Sequence, residues 1–335
     1  MGRYILKRLL LMIPILLGIS LIVLVLIDIT PGDPARAVAG ATATEEEYQA
    51  VREALHLDDP FFKRFFDFIT GVLHGDFGTS YITKTDVWKD MCIRFPYTLV
   101  LAFASTILSV VIGIPLGMVA AVYQNTWKDY LAIFISLVCT AMPAFWLALM
   151  LVQWFAVKVN WFPVSGIATW KGWVLPIISL ALGYMASVAR LMRSTTLEVI
   201  RQDYVVTARA KGLPEPRVLM KHVLKNSLIP VIVSVGSMFG MALGGALITE
   251  TIFSIPGLGQ YSLTGLANRD YPVIQGSVLF LSVLFSLVIL LIDIIFAFVD
   301  PRIRSQYVRQ RKTKKIQNPS DSGKDDPALA DGGQA

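Results

Sequence analysis

Charge is scarce in this chain. Only 16% of its 335 residues are Asp, Glu, Lys or Arg, against 55% hydrophobic, whereas soluble domains run near about 25% charged. That balance points to lipid as the solvent. Cysteine and histidine are scarcer still. Cys92 and Cys139 show no paired spacing, and His56, His74 and His222 are scattered, so neither a disulfide framework nor a metal site is indicated. The absence of H-E-x-x-H excludes a membrane metalloprotease of that type. The phosphate cradle of an ATP-hydrolysing subunit is missing too. The only Lys-Thr pairs, Lys84-Thr85 and Lys312-Thr313, have no glycines before them. No catalytic residue is assigned, and the chain is not expected to be an enzyme.

What is present is a series of long stretches free of charge. Leu9 to Ile27, Phe95 to Trp127, Tyr130 to Val157, Gly172 to Ala189, Asn226 to Thr249 and Tyr271 to Ile292 each lack Asp, Glu, Lys and Arg. A helix needs about 20 apolar residues to cross the hydrocarbon core. Unsatisfied backbone groups there cost several kcal/mol each, so such segments must be helical. The expected fold is therefore an all-α membrane protein with six transmembrane helices. A seventh charge-free run, Thr251 to Asn268, carries Pro256 and two nearby glycines, which break a helix, and reads as a loop. The first stretch exceeds a signal peptide's apolar core and no small-residue cleavage site follows, so it reads as an uncleaved span.

Lys and Arg set the orientation, because they gather on the cytoplasmic side. With both termini inside, twenty of the thirty Lys and Arg residues are cytoplasmic and most of the others share one long loop. This distribution explains the basic excess without nucleic acid, and no nucleic-acid partner is expected. The span centres carry no ionisable group; Asp28, Glu250 and Asp293 lie near span ends, where solvation or a neighbouring helix accounts for them. A carrier driven by protons or sodium normally places such groups at mid-membrane, so the empty span centres weigh against that class. Pro115, Pro143, Pro176 and Pro230 fall within spans and permit bends.

The domain reading follows: residues 1–29 form the N-terminus and first span, 30–97 an outer loop, 98–299 a core of five spans and 300–335 a cytoplasmic tail, disordered from about 306. In the outer loop, Thr44 and Glu47 form a capping-box pattern ahead of Tyr48, Val51 and Leu55, and Asp59-Pro60 opens a helix with an aromatic face that Gly75 ends. Packing on the bundle or lying at the membrane surface accounts for that face better than substrate binding does. The segment 194–226 is too polar for lipid yet helical in pattern on both sides of Gly212-Leu213-Pro214-Glu215-Pro216. It reads as helix, turn, helix, with Gly212 in the left-handed closing position. Periodicity leaves open whether this hairpin docks on a partner or is a solvated loop.

Several pieces together resemble the inner-membrane permeases of binding-protein-dependent ABC importers, in the dipeptide, oligopeptide and nickel branch, first permease subunit type. They are Y-I-L-K-R-L-L-L-M-I-P from Tyr4, T-P-G-D-P from Thr30, G-D-F-G-T-S-Y from Gly75 and R-F-P-Y-T-L from Arg94. Others are D-Y-V-V-T-A-R-A-K-G-L from Asp203, E-T-I-F-S-I-P-G-L-G from Glu250, R-D-Y-P-V-I-Q-G from Arg269 and D-P-R-I-R from Asp300. The resemblance covers nearly all of residues 1–304.

It implies the type I importer permease fold in the cytoplasmic (inner) membrane, both termini cytoplasmic, and a coupling loop that seats in a partner ATPase. Mapped here, the coupling residues are Asp203, Tyr204, Ala208, Arg209, Ala210, Lys211, Gly212, Leu213, Arg217 and His222. The broader importer loop has Glu-Ala-Ala where this chain has Val206-Thr207-Ala208, a departure that leaves the coupling role standing. The implied partners are a second homologous permease, two ABC ATPases that bind ATP and Mg, an extracytoplasmic substrate-binding protein and the lipid bilayer; the chain itself holds no cofactor. The implied cargo is a dipeptide or oligopeptide. Nickel or another small solute of the same branch is the alternative, and a secondary transporter or channel a distant one. Pore-lining residues are not legible.

Overall fold

A computed structural model of the chain describes residues 2–30, 32–40 and 42–299. These residues contain no strand, only one antiparallel bridge between Thr79 and Asp86. The tail, with its D-P-R-I-R motif and its expected disorder, lies outside the described residues. The chain divides into two compact units, Met1–Leu290 and Leu291–Ala335; the described residues of the second are helical.

The first crossing is α1 (Gly2–Ile29). Leu10, Ile13, Ile15 and Leu26 are exposed along it, which is favourable only where hydrocarbon is the surrounding medium. Three short outer helices follow, α2 (Pro34–Ala39), α3 (Glu45–Ala54) and α4 (Phe61–Leu73). The Thr44 capping box forms as the sequence predicts: the Glu47 N–H donates to Thr44 Oγ1 at 3.3 Å, and the Thr44 N–H donates to the Glu47 carboxylate at 2.8 Å. Asp33 caps α2 by accepting the Ala35 N–H at 2.8 Å, and its other oxygen accepts the Tyr48 hydroxyl and Arg52 Nη1. Burial alone would raise the Asp33 carboxyl; the Tyr48 hydroxyl, the Ala35 N–H and Arg52 outweigh it and hold the group below its ordinary value. The aromatic face of α4 is divided. Phe65, Phe68, Ile69 and Val72 are half-buried while Phe62 and Phe66 stay exposed, and Arg64 Nη2 ties the helix to Asp28 of α1 at 2.6 Å.

The second crossing, α5 (Val87–Val122), begins earlier than its charge-free core. Asp86 is its N-cap, accepting the Lys89 N–H at 2.9 Å, so the expected outer-loop boundary at residue 97 falls inside a continuous helix. The third crossing is not one helix. It is α6 (Trp127–Ala141) and α7 (Ala144–Leu151), the latter running on through a π-helical turn (Val152–Lys158), with a bend of 99° between the two halves. Pro143 supplies no N–H and disfavours helical backbone at Met142, which is extended with ψ 126°. Pro115, Pro176 and Pro230, by contrast, sit inside continuous helices.

The fourth crossing is α8 (Lys171–Ile200), which packs along α5. The approach is close because α5 offers Gly113 and Gly117: a β-carbon at Gly117 would run into the Ala189 carbonyl and Met192 of α8. Small residues at helix contacts are how membrane bundles gain packing contacts where no hydrophobic drive separates helix from lipid. Beyond α8 come α9 (Asp203–Ala210), a short turn α10 (Glu215–Arg217), a second π-helical turn (Val218–Leu224) and α11 (Lys225–Gly245). Then follow α12 (Leu247–Ile252), α13 (Leu258–Asn268) and α14 (Tyr271–Val299). The run expected to be a loop, Thr251 to Asn268, is thus the end of α12, a turn and an 11-residue helix; α12 closes at Ser254, whose φ is +52°, and the Ile255 N–H reaches back to the Glu250 carbonyl at 2.8 Å, before Pro256 bars any continuation. α13 is too short to span. Among the described residues, five helical stretches are long and apolar enough to cross, and the bent pair makes six.

Candidate functional site

The polar segment between the fourth and fifth crossings folds on itself. Val205, Ala208, Val218 and Val223 are buried together, and Val199, Ile200, Leu213 and Leu219 pack around them. The turn that closes this small core is set by Gly212, whose φ is +76°. Its N–H donates to the Arg209 carbonyl at 2.9 Å and the Leu213 N–H reaches back to the Ala208 carbonyl at 3.4 Å. This paired closure satisfies the last carbonyls of α9 and carries Leu213 onto the apolar cluster. Across the turn, Arg209 grips Glu215 through Nε at 3.1 Å and Nη2 at 2.7 Å. Those hydrogen bonds, first, push the Arg209 guanidinium above its ordinary value.

The remaining residues expected to take part divide by exposure. Asp203, Tyr204, Arg209, Ala210, Lys211 and Arg217 are exposed, whereas Ala208 is buried and Leu213 and His222 are half-buried. Asp203 begins α9, and its carbonyl accepts the Thr207 hydroxyl at 2.9 Å. The Tyr204 hydroxyl and the His222 carbonyl both accept from Asn226 Nδ2, at 3.1 and 2.8 Å, which joins α9 to the start of α11. Two apolar side chains absent from the expected set, Val206 and Met220, are 56% and 61% exposed.

The hairpin is braced to the bundle at its base. Thr195 Oγ1 of α8 donates to the Ser227 carbonyl of α11 at 3.1 Å. Two residues earlier, Arg193 forms a two-pronged pair with Asp129 of α6, Nε to Oδ1 at 2.7 Å and Nη2 to Oδ2 at 2.8 Å, and Asp129 is 1% exposed. Sequence reasoning missed this pair, because 64 positions separate its members and nothing local links them. The base of the hairpin is thus hydrogen-bonded within a frame of three crossings, α6, α8 and α11.

On the opposite side the motif fragments prove to be a set of joints. The Glu250 carboxylate, fully buried, accepts Thr98 Oγ1 at 2.7 Å and the Gln260 N–H at 2.9 Å, while Thr98 in turn accepts the Leu258 N–H at 2.8 Å. An acid thus sits at the first turn of α13, where the unpaired N–H groups and the helix dipole favour it. Gly257 and Gly259 lie so close to Glu250 that a β-carbon on either would meet its carboxylate. Asp270, buried, accepts the Ser80 hydroxyl, the Tyr81 N–H at 3.0 Å and the Ile82 N–H at 3.4 Å. Arg94 lies over the Tyr261 ring at 4.6 Å, and Gly32 lies against the Arg269 guanidinium. Of the two explanations the sequence left for Glu250 near its span end, solvation or a neighbouring helix, the structure selects the helix: the acid is buried against Thr98 of α5.

Comparison with known proteins agrees with this layout. Residues 113–305 match the family model described as binding-protein-dependent transport system inner membrane component, and residues 1–102 match that of its N-terminal part. The glutathione transport system permease protein GsiC of Salmonella typhimurium is 40% identical over 304 residues, 91% of this chain and 99% of that protein. Its counterpart from Escherichia coli K12 is 38% identical over the same length. Among solved structures, the inward-facing MetNI methionine ABC transporter matches with a TM-score of 0.56 at 20% identity, covering 63% of this chain and 96% of that one. At that identity the likeness speaks for the fold alone.

Proposed function

Because this chain belongs to the family of binding-protein-dependent transport system inner membrane components, we propose that it is the permease subunit of an ATP-driven importer of peptides and supplies half of the path and a lever. The observation that carries this reading is the hairpin. It has its own apolar core, a left-handed glycine at its turn, exposed Tyr204, Val206 and Met220 on its surface, and braces to α6, α8 and α11. A left-handed glycine alone would close any helix; the combination with exposed apolar side chains and braces to three crossings is what fits a part pushed by another protein. Asp203, Tyr204, Ala208, Arg209, Ala210, Lys211, Gly212, Leu213, Arg217 and His222 form this docking element, with Ala208, Gly212 and Leu213 holding its shape and the exposed members meeting an ATPase.

The assembly comprises a second similar permease, two ATPases that bind ATP and Mg, and an extracytoplasmic binding protein that delivers cargo to the outer face. ATP binding draws the paired hairpins together and shifts the helices between two packed states, and hydrolysis resets them. Peptide cargo is supported by the relatives named for glutathione, itself a tripeptide. The test is reconstitution with its ATPases and binding protein. Peptides, glutathione included, are expected to stimulate ATP turnover and accumulate inside; stimulation by nickel alone would replace the cargo, and silence with both would overturn the proposal.

A further inference from the structure

A cavity of about 250 Å³ opens among the outer elements. It is bounded by Leu24 of α1, the residues between α3 and α4, one face of α4, Tyr81, and Tyr271 and Gln275 at the start of α14. Its volume equals that of about eight waters, the scale of a small solute. The Tyr81 and Tyr271 rings stand 6.1 Å apart at 53°. Burial pushes the Tyr81 phenol up to about 12, so its hydroxyl is neutral.

The charges of the wall are unevenly satisfied. Asp59 is already engaged by Lys63 Nζ at 3.0 Å. Arg64 gives Nη2 to Asp28 at 2.6 Å, and its side chain keeps 19% exposure in a residue that lines the cavity. A guanidinium carries five N–H donors, so an arginine that gives one nitrogen to a carboxylate still has donors for a second anion at its exposed edge. One turn away, Asp67 is exposed at the rim of the same cavity. We propose that this outer cavity binds a small zwitterion, with a carboxylate or phosphate on the Arg64 guanidinium and an ammonium group toward Asp67. The tyrosines and Gln275 supply the neutral wall between the two charges. A peptide terminus and the headgroup of phosphatidylethanolamine share this chemistry. Binding here needs neither ATPase nor binding protein, so it is measured apart from transport.

The test uses the full chain with whatever subunits copurify. In one arm, labelled dialanine is titrated against the protein in phosphatidylglycerol nanodiscs, whose headgroup carries no ammonium. In the other, native mass spectrometry counts phosphatidylethanolamine retained from mixed nanodiscs. Saturable binding in either arm is expected, weakened about tenfold or more by Arg64→Gln and by Asp67→Asn, as loss of a charge-assisted hydrogen bond implies, and unchanged by Lys158→Gln. Arg64→Gln also removes the tie to Asp28, so Asp67→Asn, on an exposed side chain, is the variant that keeps the fold intact. The arm that responds identifies the source of the zwitterion. No saturable binding of either probe, or binding that survives both substitutions, would overturn the proposal.

Discussion

At Gly212 the constraint is the backbone and not the space around it. A β-carbon there meets nothing within 4 Å, but φ is +76°, a region that costs a non-glycine residue on the order of 1–3 kcal/mol, most for a β-branched one. Gly212→Val is therefore expected to distort the hairpin turn and separate ATP hydrolysis from uptake, while Gly212→Asn, which tolerates the left-handed region, keeps much of the coupling. Unchanged substrate uptake in the valine variant would count against the lever. Asp33 makes a different kind of prediction. Its carboxyl is held below its ordinary value in the folded chain, so the stability it contributes is fully present above about pH 4 and is lost as pH falls through the folded value. Acidification should expose the 33–58 segment to hydrogen exchange before the spans respond. Asp33→Asn should be loosened already at neutral pH and respond less to acid.

Between elements, the joint of most consequence is Asp129 with Arg193. Removing one member strands the other, so Asp129→Ala is expected to lower stability by up to about 3 kcal/mol, whereas replacing both with leucine recovers most of that. Thermal unfolding of the single and double variants in detergent checks it; equal losses in both would mean the pair does not couple α6 to α8. This is also the scale at which the sequence was least legible. A helix with a local signal was readable, as Thr44 and Glu47 announced α3; the Asp86 cap of α5 was missed, because the charge-free core drew the boundary to residue 97. The turn at Gly212 was readable because a glycine followed by Pro214 and Pro216 admits few other backbones. The Glu250, Thr98 and Leu258 joint was not, since 152 positions separate acid from hydroxyl. Nor was α13, because the same Pro256 and Gly257 that forbid a continuous helix give no sign that a new one starts just after them.

For the whole molecule, orientation is the property on which the rest depends. The first two crossings and the bent third bring α8 back toward the side of the N-terminus, so the hairpin and the outer helices α2 to α4 face opposite compartments only if the bent pair counts as one passage. Cys92, exposed at the outer end of α5, is a natural reporter. A membrane-impermeant maleimide applied outside is expected to label Cys92 and to spare a cysteine placed by Lys211→Cys in a Cys92→Ser background, with the reverse pattern in inverted vesicles. External labelling at position 211 would reverse the scheme.

The break at Pro143 also bears on biogenesis. Neither half of that passage, Trp127–Ala141 or Ala144–Lys158, reaches the roughly 20 residues that insert unaided, and the kink leaves backbone groups that hydrocarbon cannot satisfy. The ribosome delivers a charge-free run, Tyr130 to Val157, long enough to enter as one helix, yet its bent form needs cover at the break. The bend waits for α8, synthesised later, so spin labels flanking residue 143 should lie farther apart in a nascent chain stopped near residue 165 than in one extended beyond residue 200.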